Sequence, residues 1–361
     1  MIMCENKKRA ALILADGTVY SGYSFGVPGT ALGEIVFTTG VSGFQEVLTD
    51  PSNFGQIVVQ TFPSVGGYGV NADDYASPRC HLSGYVVREL TEVPSNFKMI
   101  ESLGDFTARQ GVVGIQGVDT RVITRHIRDN GSMNAMISTE HLTADPKVLE
   151  QIRAYRITDA VKQVMGAVRE EYGPADGAPH LCMLDFGRRN ASIRYFTDRG
   201  CRVSVLPGNT PAEELLAEGF DGFVLSDGPG DPADCPYHAA AAALFCSGCP
   251  VLGLGLGHQL LALTQGGRCE KLSHGHRGAN QPVKDLDNGH VFVTTQNHAY
   301  AVVGESLPEY ARVTQVNHND GSCAGVAYTG YPVLSVQYFP ESVVGNRDKG
   351  GIYDAFVQLM K

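Results

Sequence analysis

Residues 250–261 have the sequence Pro-Val-Leu-Gly-Leu-Gly-Leu-Gly-His-Gln-Leu-Leu. The apolar first half predicts a buried strand and the second half predicts a helix, so a sharp turn is expected at Gly255. A strand, a tight turn and a helix form the layout of a nucleophile elbow, which holds its central residue in a strained backbone conformation with the side chain exposed. The residue expected to carry the nucleophile is Gly255, which has no side chain.

Strands and helices alternate on the N-terminal side of this stretch. Strands are predicted at Leu181–Asp185, Arg202–Leu206, Gly222–Leu225 and Pro250–Leu254, and helices at Ala191–Asp198, Pro211–Glu218, Pro236–Phe245 and Gly257–Leu263. Short β-branched strands joined by amphipathic helices predict a doubly wound, mostly parallel α/β sheet. Ligands bind at the carboxyl ends of the strands in such sheets, so functional loops are expected after Leu225, Leu254 and Val336.

The 361 residues fit two domains. Residues 1–145 mix short β-like runs with two helices, near residues 101–110 and 120–128, which predicts an α+β domain. A helix at Lys147–Met165 and a polar, turn-rich stretch at residues 170–177 predict a helical linker over 146–178, ahead of an α/β domain over 179–361. The alternative is that this stretch is a surface loop inside one domain.

The chain carries 28 Lys and Arg against 38 Asp and Glu, a net charge of −10 that disfavours a nucleic-acid or anionic-membrane surface. No apolar run reaches the length of a membrane span, and the first ten residues lack the apolar core of a signal peptide. The nine cysteines are an odd number, which favours reduced thiols over a disulfide framework. We therefore expect a soluble, cytoplasmic protein.

Two further loops carry candidate chemistry. Residues 226–232, Ser-Asp-Gly-Pro-Gly-Asp-Pro, combine glycines with a stiffening proline, which favours exposed N–H groups facing a cleft, although a purely structural turn is the alternative. Residues 334–341, Leu-Ser-Val-Gln-Tyr-Phe-Pro-Glu, end a strand with a proline and an acid, where a base and its orienting carboxylate would project. Supporting polar stretches lie at residues 275–283 and 295–301.

These segments resemble the class I glutamine amidotransferase domain of the carbamoyl-phosphate synthase small subunit. Residues 39–52, 67–71 and 117–121 are similar to the N-terminal domain of that subunit, which other glutaminases lack. The resemblance covers essentially the whole chain and implies an N-terminal small-subunit domain followed by the amidotransferase domain.

The resemblance implies a pocket for glutamine, formed by Ser52, Gly228, Gly230, Leu256, Gln259, Asn297, Ala299 and Tyr300. In the family, a cysteine at the elbow attacks the side-chain amide of glutamine, and a His-Pro-Glu segment supplies the base and its orienting acid. The ammonia travels to a large subunit, which uses ATP and bicarbonate to make carbamoyl phosphate for arginine or pyrimidine synthesis. ATP and Mg²⁺ are expected on that partner only, and no cofactor or metal is expected in this chain.

Both catalytic positions differ from the family: Gly255 stands at the cysteine position and Phe339 at the histidine position, so only the acid, Glu341, survives. Neither glycine nor phenylalanine has a titratable group, and a thiolate mechanism needs both sulfur and a proton acceptor. We therefore expect no glutaminase activity. Phe339 is expected to fill the imidazole volume, which leaves Glu341 as either a hydrogen-bonded or a solvent-facing carboxylate.

Smaller departures accompany these two. The usual Asn of the Ser-Asn-Gly-Pro-Gly segment is Asp227, which adds negative charge beside a site that must receive an oxyanion. Ala299 replaces the usual glycine after Asn-His, and Ala191 replaces an asparagine. The stretch 185–189, Asp-Phe-Gly-Arg-Arg, keeps a cation where the family has lysine.

Other residues offer little replacement chemistry. Cys246 and Cys249 form a single Cys-x-x-Cys pair upstream of the strand, at its wrong end for the elbow, and such a lone pair favours incidental thiols. His274 and His276 lack further metal ligands nearby. The glycines at 253, 255 and 257 superficially resemble a dinucleotide loop, but the spacing is not G-x-G-x-x-G.

Three functional hypotheses remain open. The first is a glutaminase-inactive small subunit that pairs with a large subunit as a scaffold or regulator. The second is a repurposed sensor that binds glutamine or another amino acid, and the third is glutamine hydrolysis by an unusual route. If the rest of the pocket is intact, Gly255→Cys with Phe339→His is expected to recover some activity, whereas Gly255→Cys alone is not.

Overall fold

The computed structural model describes residues 7–175, 178–344 and 351–361. The chain divides into two compact units, Met1–Ile157 and Thr158–Lys361. The division falls inside the stretch 146–178, for which the sequence predicts a helical linker.

A closed β-barrel forms the centre of the first unit. Its strands are β1 (Arg9–Leu14), β2 (Val19–Gly26), β3 (Thr30–Thr38), β4 (Gln56–Gln60), β6 (Gly84–Val86), β8 (Val113–Gln116) and β9 (Met133–Ser138), in the order β1-β2-β8-β6-β4-β3-β9, and the short strands β5 (Ser64–Val65) and β7 (Glu89–Leu90) pair separately. Helices are α1 (Phe44–Thr49), α2 (Leu103–Arg109), α3 (Thr120–Asn130) and α4 (Pro146–Ala154). The apolar interior includes Leu12, Ile35, Ile57 and Ile115, all fully buried.

The predicted helix over Lys147–Met165 is wrong as a single element. Two helices replace it, α4 and the short α5 (Ala160–Val164), and Asp159 between them has a positive φ of 50°. Val148 of α4 packs with β1 and β9, whereas Val161 of α5 lies in the core of the second unit. The two helices therefore pack in different hydrophobic cores, which explains why the helix is interrupted between them.

An 11-stranded sheet forms the centre of the second unit. Its strands, in chain order, are β10 (Glu170–Tyr172), β11 (His180–Asp185), β12 (Arg202–Pro207), β13 (Gly222–Leu225), β14 (Val251–Leu254), β15 (Cys269–Asp285), β16 (Val291–Val302), β17 (Ala311–Asn317), β18 (Cys323–Tyr328), β19 (Val333–Val336) and β20 (Phe339–Val344). The helices are α5, α6 (Asn190–Thr197), α7 (Ala212–Ala217), α8 (His238–Cys246), α9 (Leu256–Thr264) and α10 (Gly351–Leu359).

The middle of this sheet is parallel, in the order β12-β11-β13-β14-β19. Its two faces are covered by separate apolar clusters, one containing Leu244 and Leu260 and the other Phe196 and Phe356. This architecture confirms the predicted α/β fold class. Antiparallel strands extend the sheet through β18, β17, β15, β16 and β20, and the supporting stretches 275–283 and 295–301 lie within β15 and β16.

Candidate functional site

The turn between β14 and α9 has the geometry of a nucleophile elbow. Gly255 has φ of 50° and ψ of −107°, a conformation that side-chain-bearing residues rarely adopt. Its N–H donates to the carbonyl of Val336 at 2.9 Å, and its carbonyl accepts from the N–H of Gln259 at 3.2 Å. The backbone thus keeps the elbow conformation although the residue has no side chain to present.

The carboxylate of Asp227 lies beside this glycine. A Cβ built on Gly255 would stand 1.9 Å from Asp227 Oδ1 and 2.3 Å from its Cγ. The same Oδ1 accepts a hydrogen bond from the N–H of Leu256 at 2.9 Å. In elbow enzymes, the N–H of the residue after the nucleophile helps to bind the oxyanion, so a carboxylate of the chain itself sits against that donor.

The loop that carries Asp227 is anchored by Ser226. Ser226 Oγ accepts from the N–H of Phe186 at 2.9 Å, and the Ser226 carbonyl accepts from the N–H of Gly257 at 3.1 Å. A Cβ on Gly228 would lie 2.3 Å from the carbonyl oxygen of Phe186, which leaves no room for a side chain there. The close approach of these backbones explains the glycine at 228 and fixes Asp227, which is 7% exposed.

Phe339, at the start of β20, is buried and pairs with Thr295 of β16. The guanidinium carbon of Arg189 lies 4.1 Å from the centroid of its ring, within cation–π distance. The aromatic ring therefore fills the position where the family resemblance implies a base, and its face is covered by a cation.

Glu341, the surviving acid, is a buried and hydrogen-bonded carboxylate rather than a solvent-facing one. Its side chain is 3% exposed, and Oε1 lies 3.5 Å from Arg189 Nε. Ser192 Oγ donates to Oε1 at 3.3 Å, and the Tyr353 hydroxyl donates to Oε2 at 3.0 Å. Burial, helped by the nearby Glu341 charge, raises the pKa of Tyr353 well above its ordinary value, so this hydroxyl stays a neutral donor.

Most of the predicted glutamine-pocket residues belong to the second unit. Gln259 Nε2 donates to the carbonyl of Tyr300 and to Gln337 Oε1, both at 2.8 Å. Gly228 and Leu256 are neighbours, because a Cβ on Gly228 would lie 2.9 Å from Leu256 Cδ2.

The remaining pocket residues are more scattered along the fold. Gly230, with φ of 94°, approaches Ala160, while Asn297 and Ala299 are half-buried on β16. Ser52 belongs to the first unit, in a 3₁₀ turn at Pro51–Asn53 where its N–H donates to Asp50. The contacts thus join Gly228 with Leu256 and Gln259 with Tyr300.

Two buried histidines near the elbow do not supply a base. His258 Nδ1 lies 2.8 Å from Ser335 Oγ, and burial lowers the pKa of His258 to about 3. Burial, together with the neighbouring His276, also lowers the pKa of His298 well below its ordinary value. Groups with such low pKa values accept a proton poorly at neutral pH.

Several thiols in the described part of the chain are buried and protonated. Burial raises the pKa of Cys80, Cys269 and Cys323 to about 12, so these thiols stay protonated. Cys249 precedes β14 and lies at the opposite end of that strand from Gly255.

No metal centre forms within residues 7–175, 178–344 and 351–361, where no three His, Cys, Asp or Glu side chains gather to hold an ion. In that part of the chain, no helix is both long and apolar enough to cross a membrane.

The sequence indicated that Asp227 adds negative charge beside the oxyanion site. It indicated neither the overlap of Asp227 with a side chain at residue 255 nor the position of Arg189 against both Phe339 and Glu341. The strand register accounts for the overlap. The pairs Phe223–Val251 and Leu225–Gly253 in the parallel pairing of β13 and β14 are each 28 residues apart, and Asp227 and Gly255 continue that offset. Nothing local indicates the position of Arg189, because β20 is distant from it in sequence.

The fold and the elbow define a class I glutamine amidotransferase domain, and the family model of that description matches residues 182–359. The model described as carbamoyl-phosphate synthase small chain, CPSase domain, matches residues 12–137. The chain belongs to the carbamoyl-phosphate synthase small chain family.

Similar proteins match along nearly the full length. A carbamoyl phosphate synthase small chain of Symbiobacterium thermophilum is 42% identical, over 96% of this chain and 97% of its own length. That of Syntrophotalea carbinolica is 41% identical over 98% of both chains. The chloroplastic small chain of Oryza sativa subsp. japonica is 40% identical, over 98% of this chain and 82% of its own.

Proposed function

We propose that this chain is a glutaminase-inactive small subunit that associates with a carbamoyl-phosphate synthase large subunit as a scaffold or regulatory subunit. The observation that carries the proposal is the elbow itself: Gly255 keeps the strained turn but offers no nucleophile. Hydrolysis of the glutamine amide needs a thiolate to attack the carbonyl carbon and an acid to protonate the departing ammonia.

The second missing function is proton transfer. Phe339 cannot accept or donate a proton, and Arg189 covers its ring. Arginine stays protonated at any physiological pH, so it does not replace a base. Neighbouring His258 and His298 have strongly lowered pKa values, and both side chains are already in contact with Ser335 and Tyr300, respectively.

The large-subunit partner is supported by the extent of the family match. Both the N-terminal small-chain domain and the amidotransferase domain are matched, so the chain retains more than a hydrolytic module. In this proposal, ATP and Mg²⁺ bind to the large subunit, free ammonia supplies the nitrogen, and this chain needs no cofactor of its own.

The test combines the purified chain with its cognate large subunit. We expect co-elution in size-exclusion chromatography and carbamoyl phosphate formation from ammonia, bicarbonate and ATP, with no product when glutamine is the nitrogen donor. The large subunit alone is the control for any effect of this chain on rate or stability. Failure of the two proteins to associate would overturn the scaffold proposal.

Two further outcomes separate the alternatives. Ammonia release from glutamine above a no-protein blank, lost in Glu341→Gln, would indicate hydrolysis by another route. Heat released on titration of glutamine into the isolated chain, without hydrolysis, would favour an amino-acid sensor. We expect neither signal.

A further inference from the structure

The site has a third altered position, whose effect depends on the other two. Asp227 Oδ1 lies within 1.9 Å of the point where any side chain at residue 255 would begin, and Cβ of Asp227 lies within 3.0 Å of it. Real side chains do not approach this closely, so the carboxylate and a nucleophile at 255 exclude each other. The absence of a side chain at Gly255 is what makes room for Asp227.

The Asp227 carboxylate also occupies the position of the oxyanion that forms on the substrate carbonyl during attack. Its Oδ1 accepts the N–H of Leu256 at 2.9 Å, and hydrogen bonds from N–H groups to a charged oxygen are among the stronger ones. In a working elbow this donor faces the oxygen on which negative charge develops during attack. A resident carboxylate leaves that donor unavailable to the carbonyl oxygen of glutamine.

A rotation of Asp227 away from the elbow would not restore the chemistry. The residue is 7% exposed in a loop held by Ser226, so a moved carboxylate remains close to residue 255. A like charge beside a thiol disfavours the thiolate and raises the pKa of the thiol. The turn at 255 keeps its elbow φ and ψ, so the anion site is filled rather than collapsed.

We infer that Asp227 acts as a built-in anion that occupies both the nucleophile's volume and the oxyanion donor, so that restoring glutaminase chemistry requires a change at 227 as well as at 255 and 339. This inference rests on the proposed inactivity of the wild-type site. It also revises the sequence-based expectation that Gly255→Cys with Phe339→His is sufficient.

The hydrolysis test compares two combined variants. We expect Gly255→Cys/Phe339→His to stay at the blank rate of ammonia release. The same pair with Asp227→Ala, which removes the carboxylate from residue 255 and from the N–H of Leu256, should exceed that rate by about tenfold or more, since loss of one oxyanion donor alone costs that much or more. In the active variant, the thiolate attacks the amide carbon, the C–N bond breaks as histidine protonates the ammonia, and water cleaves the thioester to glutamate. Asp231→Ala in place of Asp227→Ala is the matched control, because Asp231 lies in the same loop but caps Ala233.

A second readout does not depend on turnover. The pH dependence of alkylation of the introduced thiol, followed by peptide mass spectrometry, is compared in Gly255→Cys and Gly255→Cys/Asp227→Ala. Loss of the adjacent charge is expected to lower the thiol pKa by about one unit. Thermal melts and circular dichroism establish that each variant is folded, and Gly255→Ala/Asp227→Ala serves as the thiol-free blank.

The outcomes are distinct. Hydrolysis that rises above the blank to the same rate with and without Asp227→Ala, or an unchanged thiol pKa, would overturn the inference. If all variants lack turnover, the alkylation result decides it: a lowered pKa supports the role of Asp227 and an unchanged one refutes it. Ammonia release by the wild-type chain would instead refute the proposed inactivity, and the alkylation comparison would still judge Asp227 separately.

Discussion

At the scale of single residues, Arg189 and Glu341 share one set of buried contacts. Arg189 lies against both the ring of Phe339 and the carboxylate of Glu341, so the surviving acid has a cation as its neighbour instead of an imidazole. Ser192 and Tyr353 complete the environment of this buried carboxylate. A charge that is paired and hydrogen-bonded in this way is tolerated in the interior, so these contacts account for the burial of Glu341.

The coupling of Gly255 and Asp227 predicts a non-additive effect on stability. Gly255→Ala is expected to lower the free energy of unfolding by about 2–4 kcal/mol, because it combines a strained φ with a collision against Asp227. In the Asp227→Ala background, the same change should cost about 1–3 kcal/mol, since only the backbone strain remains. Urea denaturation of the four proteins measures this cycle, and strictly additive values would contradict the predicted contact.

At the scale of elements, the local sequence pattern predicted those strands and helices whose apolar residues recur with a regular period. The alternation between residues 180 and 264 was predictable because short apolar strands and amphipathic helices carry their period within a few residues. Strands β8 and β9 were not predicted: β8 is a short run of four residues, and β9 contains Met133, Ala135 and Met136, whose types do not favour strands. Their strand conformation is determined by pairing with distant strands of the barrel.

The hairpin of β15 and β16 was also not predictable from its local sequence pattern. Its residues include glycines, histidines, asparagine and proline, and its pairing contains register shifts after Lys271 and Gly278. Such bulges remove the strict alternation by which a strand is recognised. The chemistry-bearing residues Asn297 and Tyr300 could therefore be named by resemblance, whereas their strand could not be predicted from the pattern.

The break between α4 and α5 predicts opposite effects for two substitutions at one position. Asp159 has φ of 50°, where glycine is unstrained and a β-branched residue is strongly disfavoured. Asp159→Gly is expected to leave the stability unchanged or raise it by up to about 1 kcal/mol, and Asp159→Val to lower it by about 1–3 kcal/mol. Thermal denaturation of both variants tests this, and a more stable valine variant would exclude the positive φ.

At the scale of the whole molecule, the buried histidines make stability dependent on pH. The pKa of His258 in the folded protein is about 3, below the 6.5 of the unfolded chain. Between these values the unfolded state binds a proton that the folded state does not. The stability that neutral His258 contributes is therefore fully present above pH 6.5 and is lost as the pH falls toward 3. His298, whose pKa is also lowered, acts in the same direction.

We expect the free energy of unfolding to fall by about 1 kcal/mol per pH unit for each of these histidines below pH 6.5. His258→Asn should reduce that slope while lowering the stability at pH 7. Urea denaturation at pH 7, 6 and 5 measures the slope in both proteins. His290→Asn, at an exposed position, is the control, and an equal slope in wild type and His258→Asn would contradict the assignment.

The contact between Asp227 and Gly255 has a consequence for the order in which the two positions can be changed. A side chain introduced at 255 first meets the carboxylate of Asp227, whereas removal of that carboxylate first leaves the glycine unstrained. Substitutions at the two positions are therefore coupled, and the effect of either one depends on which residue the other position carries. A library that varies residue 255 alone samples only side chains that overlap Asp227, so variation of both positions together is needed to explore this turn.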